Sequence, residues 1–160
     1  MLVIFNNLKP FFEDVYREIA VREYSRILQI SPPNASKILK DFADKGVLSM
    51  RKERNLLLFR ANREKYLFRD LAIAYWREVL STLFLSLKDK FLFKNLILFG
   101  SIVKIENTLS SDVDLFVNIK HTEIDISKVE KVLKRKVQLH FSNSLNNNNL
   151  KFNIEKGVEI

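Results

Sequence analysis

The chain contains no cysteine. Disulfides and thiolate zinc sites are therefore excluded. Glycine and proline are scarce, with three of each in 160 residues, against 13 phenylalanines. That balance implies helix-rich packing with few tight turns. The two histidines, His121 and His140, are too few for a His-rich metal site, and each reads as an ordinary surface or strand residue. No long apolar run is present either. The most apolar stretch, Leu80 to Phe99, is broken by Lys88, Asp89, Lys90 and Lys94, well short of the roughly 20 apolar residues a spanning helix needs. The N-terminus lacks a basic segment followed by a small-residue cleavage site. The expectation is a cytoplasmic protein with no membrane partner.

What the chain does have is charge and apolar bulk. Hydrophobic residues make up 47% and charged residues 29%, which marks a folded chain rather than a disordered one. The length suits one ordinary domain or two small ones. Net charge is +8, which favours a polyanionic partner such as nucleic acid or nucleotide. Residues 1–66 hold 13 basic and 8 acidic side chains, and residues 67–160 hold 14 and 11, so the excess leans toward the N-terminal part.

Residues 1–62 read as three helices and a hairpin. Ser31-Pro32-Pro33-Asn34 opens the clearest element, because Ser is a good N-cap and Pro suits the first helical position. Ala35, Ile38, Leu39, Phe42 and Ala43 then recur at the spacing of one helical face. Gly46 supplies the stop. The opposite face carries Asn34, Ser36, Lys37, Lys40 and Asp41. Upstream, Val21 to Leu28 reads as a shorter helix with Tyr24, Ile27 and Leu28 apolar. Downstream, Val47 to Met50 and Leu56 to Phe59 flank a polar turn, Arg51 to Asn55, giving a hairpin with a basic tip.

Residues 63–92 contain no Gly or Pro and read as a helical connector, with Leu67, Leu71, Trp76, Leu80, Leu83, Phe84 and Leu87 forming a broad apolar surface. Residues 93–141 read as strand, helix, strand, helix, strand, with the second helix at Ser127 to Arg135. Residues 142–149, with five Asn, read as a polar loop, and the tail as a short helix and a last extended piece. Lys134-Arg135-Lys136 is either a phosphate-holding cluster or a solvated helix end favoured by the helix dipole; the second reading is preferred.

The most informative feature lies between these elements. The apolar run Leu96 to Phe99 ends in Gly100-Ser101, and Ser111-Asp112-Val113-Asp114-Leu115 follows some ten residues later. On a strand, residues two apart share a face, with Cα atoms about 6.6 Å apart. Asp112 and Asp114 then repel unless a cation sits between them. Magnesium, a hard ion usually held by carboxylates and substrate phosphates, meets that need. Gly100 permits close approach of backbone to a ligand, and Ser101 offers a hydroxyl and an N–H.

These residues, Leu96 to Val117, resemble the nucleotidyltransferase superfamily of the polymerase-β type, most closely its minimal branch. The resemblance implies that Gly100 and Ser101 hold a nucleoside triphosphate, with Lys104 beside them, and that Asp112 and Asp114 bind magnesium as catalytic residues. Two positions depart from the family pattern. Ile105 stands where a second glycine is expected. Gln138 stands where active members carry a third carboxylate. Gln is neutral and cannot act as a general base, so catalysis is expected to be weak or lost.

The N-terminal elements resemble a winged helix-turn-helix domain over Phe11 to about Asn62. That resemblance implies that the helix from Pro32 enters the major groove of double-stranded DNA. Asn34, Ser36, Lys37 and Lys40 would face the DNA, and Arg51, Lys52 and Arg54 would sit on the wing. The alternative is a protein-docking module with a solvated lysine face.

The expected fold is α+β: a winged helix at 1–62, a helical connector at 63–92 and a small nucleotidyltransferase-like mixed sheet with helices at 93–160. The expected function is a homodimeric DNA-binding transcriptional regulator whose second domain binds nucleotide and magnesium. Two alternatives remain open: an active nucleotidyltransferase modifying a protein or RNA hydroxyl, and an antitoxin-like partner of a helical toxin protein.

Overall fold

A computed structural model describes residues 2–91, 95–144 and 148–160. The expected boundary between residues 92 and 93, the side chain of Leu87 and the middle of the Asn-rich segment lie outside the described residues. The chain divides into two compact units, Met1–Ala72 and Ile73–Ile160.

In the first unit α1 (Val3–Glu13), α2 (Val21–Leu28) and α3 (Pro32–Asp44) accompany three strands. These are β1 (Ile19–Ala20), β2 (Leu48–Glu53) and β3 (Leu56–Ala61), antiparallel throughout in the order β1-β3-β2. The apolar period of α3 buries Ala35, Leu39 and Phe42, with Ile38 and Ala43 half-buried. Ser31 occupies the N-cap position but makes no side-chain capping bond, so Pro32 at the first helical position carries the start. The α2–α3 turn is set by Gln29 in the left-handed region, with the Ile30 N–H donating to the Ser25 carbonyl at 3.0 Å. Ser25 is buried and its hydroxyl donates to the Ile30 carbonyl at 2.6 Å. Ile27, expected on the apolar face of α2, is instead 40% exposed. The core gathers Phe11, Phe12, Tyr24, Phe59 and Phe68, and Tyr24 donates its hydroxyl to the Asn7 carbonyl at 2.8 Å.

The hairpin differs from the expected one. Strand β2 runs on to Glu53, so the turn is Arg54-Asn55 alone, with Arg54 in the left-handed region. Arg51 and Lys52 therefore sit on the strand. Strand β1 was not legible in the sequence; Ile19 pairs with Phe59 and Ala20 with Leu58.

Helix α4 (Tyr66–Phe91) contains no Gly or Pro. Phe68 and Ala72 are buried in the first unit, and Tyr75, Trp76, Leu80 and Phe84 in the second. Leu67, expected on the apolar surface, is exposed. Among the described residues no helix is long and apolar enough to cross a membrane.

The second unit is built on a four-stranded mixed sheet in the order β6-β5-β4-β7. Its strands are β4 (Leu96–Phe99), β5 (Val113–Val117), β6 (Val137–Phe141) and β7 (Val158–Glu159). Strands β4 and β5 are antiparallel, β5 and β6 parallel, and β7 antiparallel to β4. Helices α5 (Ser101–Lys104), α6 (Ser127–Leu133) and α7 (Asn148–Glu155) join them. The Asn-rich segment is not wholly loop: a 3-10 turn covers Ser142–Ser144, and α7 starts at Asn148.

Alternation divides the sheet residues into two faces. Ile97 and Phe99 share one with Asp114, Phe116, Gln138 and His140. On it Phe99, Phe116 and Ile154 form a buried cluster, with Ile97 and Leu150 packed against it, so α7 covers the apolar part of this face. Gly157 permits the tight return from α7 to β7. A Cβ there would lie 2.4 Å from Ile97 Cγ2 and 2.8 Å from the Ile154 and Leu98 carbonyl oxygens. Gly157→Ala is expected to destabilise the second unit by about 1–3 kcal/mol, read as a lower urea midpoint. An unchanged midpoint would contradict this packing.

Candidate functional site

The β4–β5 and β5–β6 registers bring the separated sequence motifs together. Asp114 pairs with Phe99 on one side and with Gln138 on the other. Gly100 follows Phe99 directly, so it lies against Asp114. A Cβ at Gly100 would stand 2.3 Å from Asp114 Oδ2. Its backbone, at φ 78° and ψ −147°, belongs to a region open essentially to glycine alone. Both demands fall on one residue.

Ser101 starts α5 and is half-buried; Lys104 ends it and is exposed. The turn closes at Ile105, which is buried and adopts φ 59° and ψ 49°. A β-branched residue in the left-handed region is a true outlier. The position where the resemblance expects glycine thus has the backbone that favours glycine, and isoleucine holds it under strain.

Asp112 lies immediately before β5 rather than within it. Gln138 Nε2 donates to Asp112 Oδ2 at 2.6 Å. The residue in the expected place of a third carboxylate therefore bonds the first of the two acids. Asp114 has a different neighbour: His140 Nε2 lies 3.9 Å from its Oδ1. That separation is too long for a hydrogen bond, and the buried His140 nitrogen has no hydrogen-bond partner. The imidazole packs edge-on to Phe99, with ring centroids 5.2 Å apart. Burial pushes the Asp114 carboxyl above its ordinary range; His140 opposes the shift and the Asp112 charge adds to it. Among the described residues, no group of three or more His, Asp or Glu side chains is arranged to hold a metal ion.

The loop carrying Asp112 is tied down by Arg135. Arg135 is buried, contrary to the expected solvated helix end. Its Nη1 donates to the Thr108 and Ser111 carbonyls at 2.5 and 2.9 Å, and its guanidinium lies 5.5 Å over the Trp76 ring. The Thr108 N–H donates to Ser111 Oγ at 2.9 Å. Glu130 accepts from the Val137 N–H at 2.9 Å and pairs with Lys136 at 3.4 Å. Nothing in the sequence distinguished Arg135 from its two lysine neighbours. His140 could have been found, since alternation from Gln138 places it on the same face.

In the first unit, Asn34, Lys37 and Lys40 are exposed on α3, and Ser36 is half-buried. Asp41 on the same helix is tied to Lys45 at 2.6 Å. Asn34 and Lys37 border a groove of about 520 Å³ shared with Asn7, Ile30 and Phe42. On the hairpin Lys52 and Arg54 are exposed. Arg51 is committed elsewhere. Its Nε and Nη2 donate to the two Glu18 oxygens at 2.8 and 2.5 Å, and Glu53 lies 2.7 Å away. This fork–fork bond holds the Glu18 carboxyl below its usual range.

The model of the family described as "Nucleotidyltransferase domain" matches residues 80–160. The chain belongs to that family. No curated protein matches it, and no solved structure does.

Two outcomes follow from this geometry. Gly100→Ala is expected to lower stability by about 2 kcal/mol or more, since it meets both the forbidden backbone and the Asp114 carboxylate; a chemical denaturation curve measures it. Asp114→Asn is expected to act in the opposite sense. A carboxyl whose folded value is raised loses stability as pH climbs from the ordinary 3.8 through that raised value. The variant should therefore melt higher than the natural protein at neutral pH and lose its advantage below pH 3.8. A pH-independent difference in melting temperature would refute the assignment.

Proposed function

We propose that the protein is a DNA-binding regulator whose nucleotidyltransferase domain binds a nucleoside triphosphate with a divalent ion while transferring its nucleotidyl group weakly or not at all. The observation that carries this reading is Gln138. It is in register with Asp114, and its amide donates to Asp112 at 2.6 Å. A third carboxylate there would help clamp a second ion and accept the proton of an attacking hydroxyl. An amide does neither. General-base assistance is worth about 10²–10⁴-fold, which sets the scale of the deficit.

The donor set still suits an ion. Asp112 directly precedes strand β5 and Asp114 lies on it, and a buried, unpartnered imidazole nitrogen lies beside Asp114. Asp112 and Asp114 hold the ion, which neutralises phosphate charge when bound. Gly100 lets the triphosphate approach the backbone, Ser101 offers its N–H and hydroxyl, and Lys104 supplies a cation one turn on. Calorimetry with a triphosphate and magnesium should give binding that Asp112→Asn or Asp114→Asn removes. Absence of binding by the natural protein would end this half of the proposal.

The regulator half rests on the first unit, which we read as a winged helix-turn-helix over residues 1–62, followed by a connector at 63–92. The element order and the β1-β3-β2 sheet support it. Lys37 and Lys40 straddle the exposed face of α3, and Lys52 and Arg54 are free to meet phosphates. Arg51 takes another role here: bonded to Glu18, it fixes the wing. Lys37→Glu with Lys40→Glu should abolish a gel shift on duplex DNA without lowering the melting temperature. Arg54→Ala should weaken binding on every sequence and reduce the salt slope by about one. No salt-sensitive DNA binding by the intact protein would favour a docking module.

A further inference from the structure

We infer that His140 is a direct ligand of the divalent ion, sharing it with Asp114. The inference rests on the ion-binding reading above and names the residue that makes up for Gln138.

Three observations carry it. The first is position. His140 is two residues beyond Gln138 on β6, so both project from the same sheet face as Asp114. The second is an unmet valence. His140 Nε2 is buried and makes no hydrogen bond. Buried nitrogen atoms of this kind are rarely left without a partner, because desolvation is not repaid. The third is distance. Nε2 stands 3.9 Å from Asp114 Oδ1. Nitrogen and carboxylate oxygen each bind a divalent ion at about 2.0–2.2 Å, so one ion fits between two atoms so spaced. The ring is held for this by its edge contact with Phe99.

Asp112 stands outside this pair, since one of its oxygens accepts from the Gln138 amide. Its other oxygen remains for the ion, and the amide then orients the carboxylate as an outer partner does. An imidazole changes which ion is preferred. Magnesium favours oxygen donors alone, whereas manganese and its neighbours accept nitrogen readily. The pair therefore favours manganese over magnesium.

The test is manganese binding by the full chain, followed by electron paramagnetic resonance with and without a nucleoside triphosphate. Bound manganese should show nitrogen coupling from a histidine. His121→Gln should leave that coupling intact, because His121 is exposed and lies against the Phe141 ring. His140→Asn should abolish the coupling and weaken manganese binding by about tenfold or more, given that loss of an outer partner alone costs 10–100-fold. His140→Asp should abolish the coupling, keep ion binding and move preference toward magnesium. If His140→Asn fails to fold, the coupling in the natural protein and in His140→Asp still decides. Bound manganese without histidine coupling overturns this inference and leaves the ion-binding reading standing. No manganese binding, even with triphosphate, overturns both.

Discussion

Two carboxylates two residues apart repel, and strand β6 is what accommodates them. Its parallel pairing with β5 sets Gln138 opposite Asp114 and carries His140 along the same face. Gln138 bonds Asp112, and His140 lies beside Asp114. Each acid thus has its own neighbour from one strand. The arrangement needs no third acid to be stable, and a third acid would add a further repulsion. Gly100 completes the constraint, because any side chain there would strike the Asp114 carboxylate.

This arrangement has a cost in stability that the surrounding structure offsets. Burial of Asp114 disfavours its charged form. Ile105 holds a left-handed backbone that isoleucine rarely adopts. Against these stand a buried Ile105 side chain, the Arg135 bonds to the Thr108 and Ser111 carbonyls, and the apolar cluster under α7. Strain and buried charge gather where a ligand would lie, as they do in sites shaped by function. In the proposed reading, a bound ion and triphosphate offset the charge of the two acids.

Much of the fold was legible because local rules dominated it. Pro32 and the apolar period of Ala35, Leu39 and Phe42 placed α3, and the elements from Leu96 to Phe141 followed from short apolar runs between polar turns. The juxtaposition of Gly100 with Asp114 comes from the antiparallel register that pairs Phe99 with Asp114. What could not be read depends on partners distant in sequence. Strand β1 is two residues long and exists only through β3. Arg51 looked like a free cation until Glu18, 33 positions away, bonded it. Arg135 looked like its neighbours until the loop at Thr108 closed over it. A lone histidine is ordinarily a surface or strand residue; what singles out His140 is the Asp114 carboxylate beside it.

The account turns on Gln138, and covalent transfer is the direct way to test it. The natural protein and Gln138→Asp would be incubated with a labelled triphosphate, magnesium or manganese and candidate acceptors, and label incorporation measured under identical conditions. The account predicts little or no transfer by the natural sequence and an increase in the variant, because the aspartate restores a group that accepts the hydroxyl proton. Efficient transfer by the natural protein, lost rather than raised in Gln138→Asp, would contradict it.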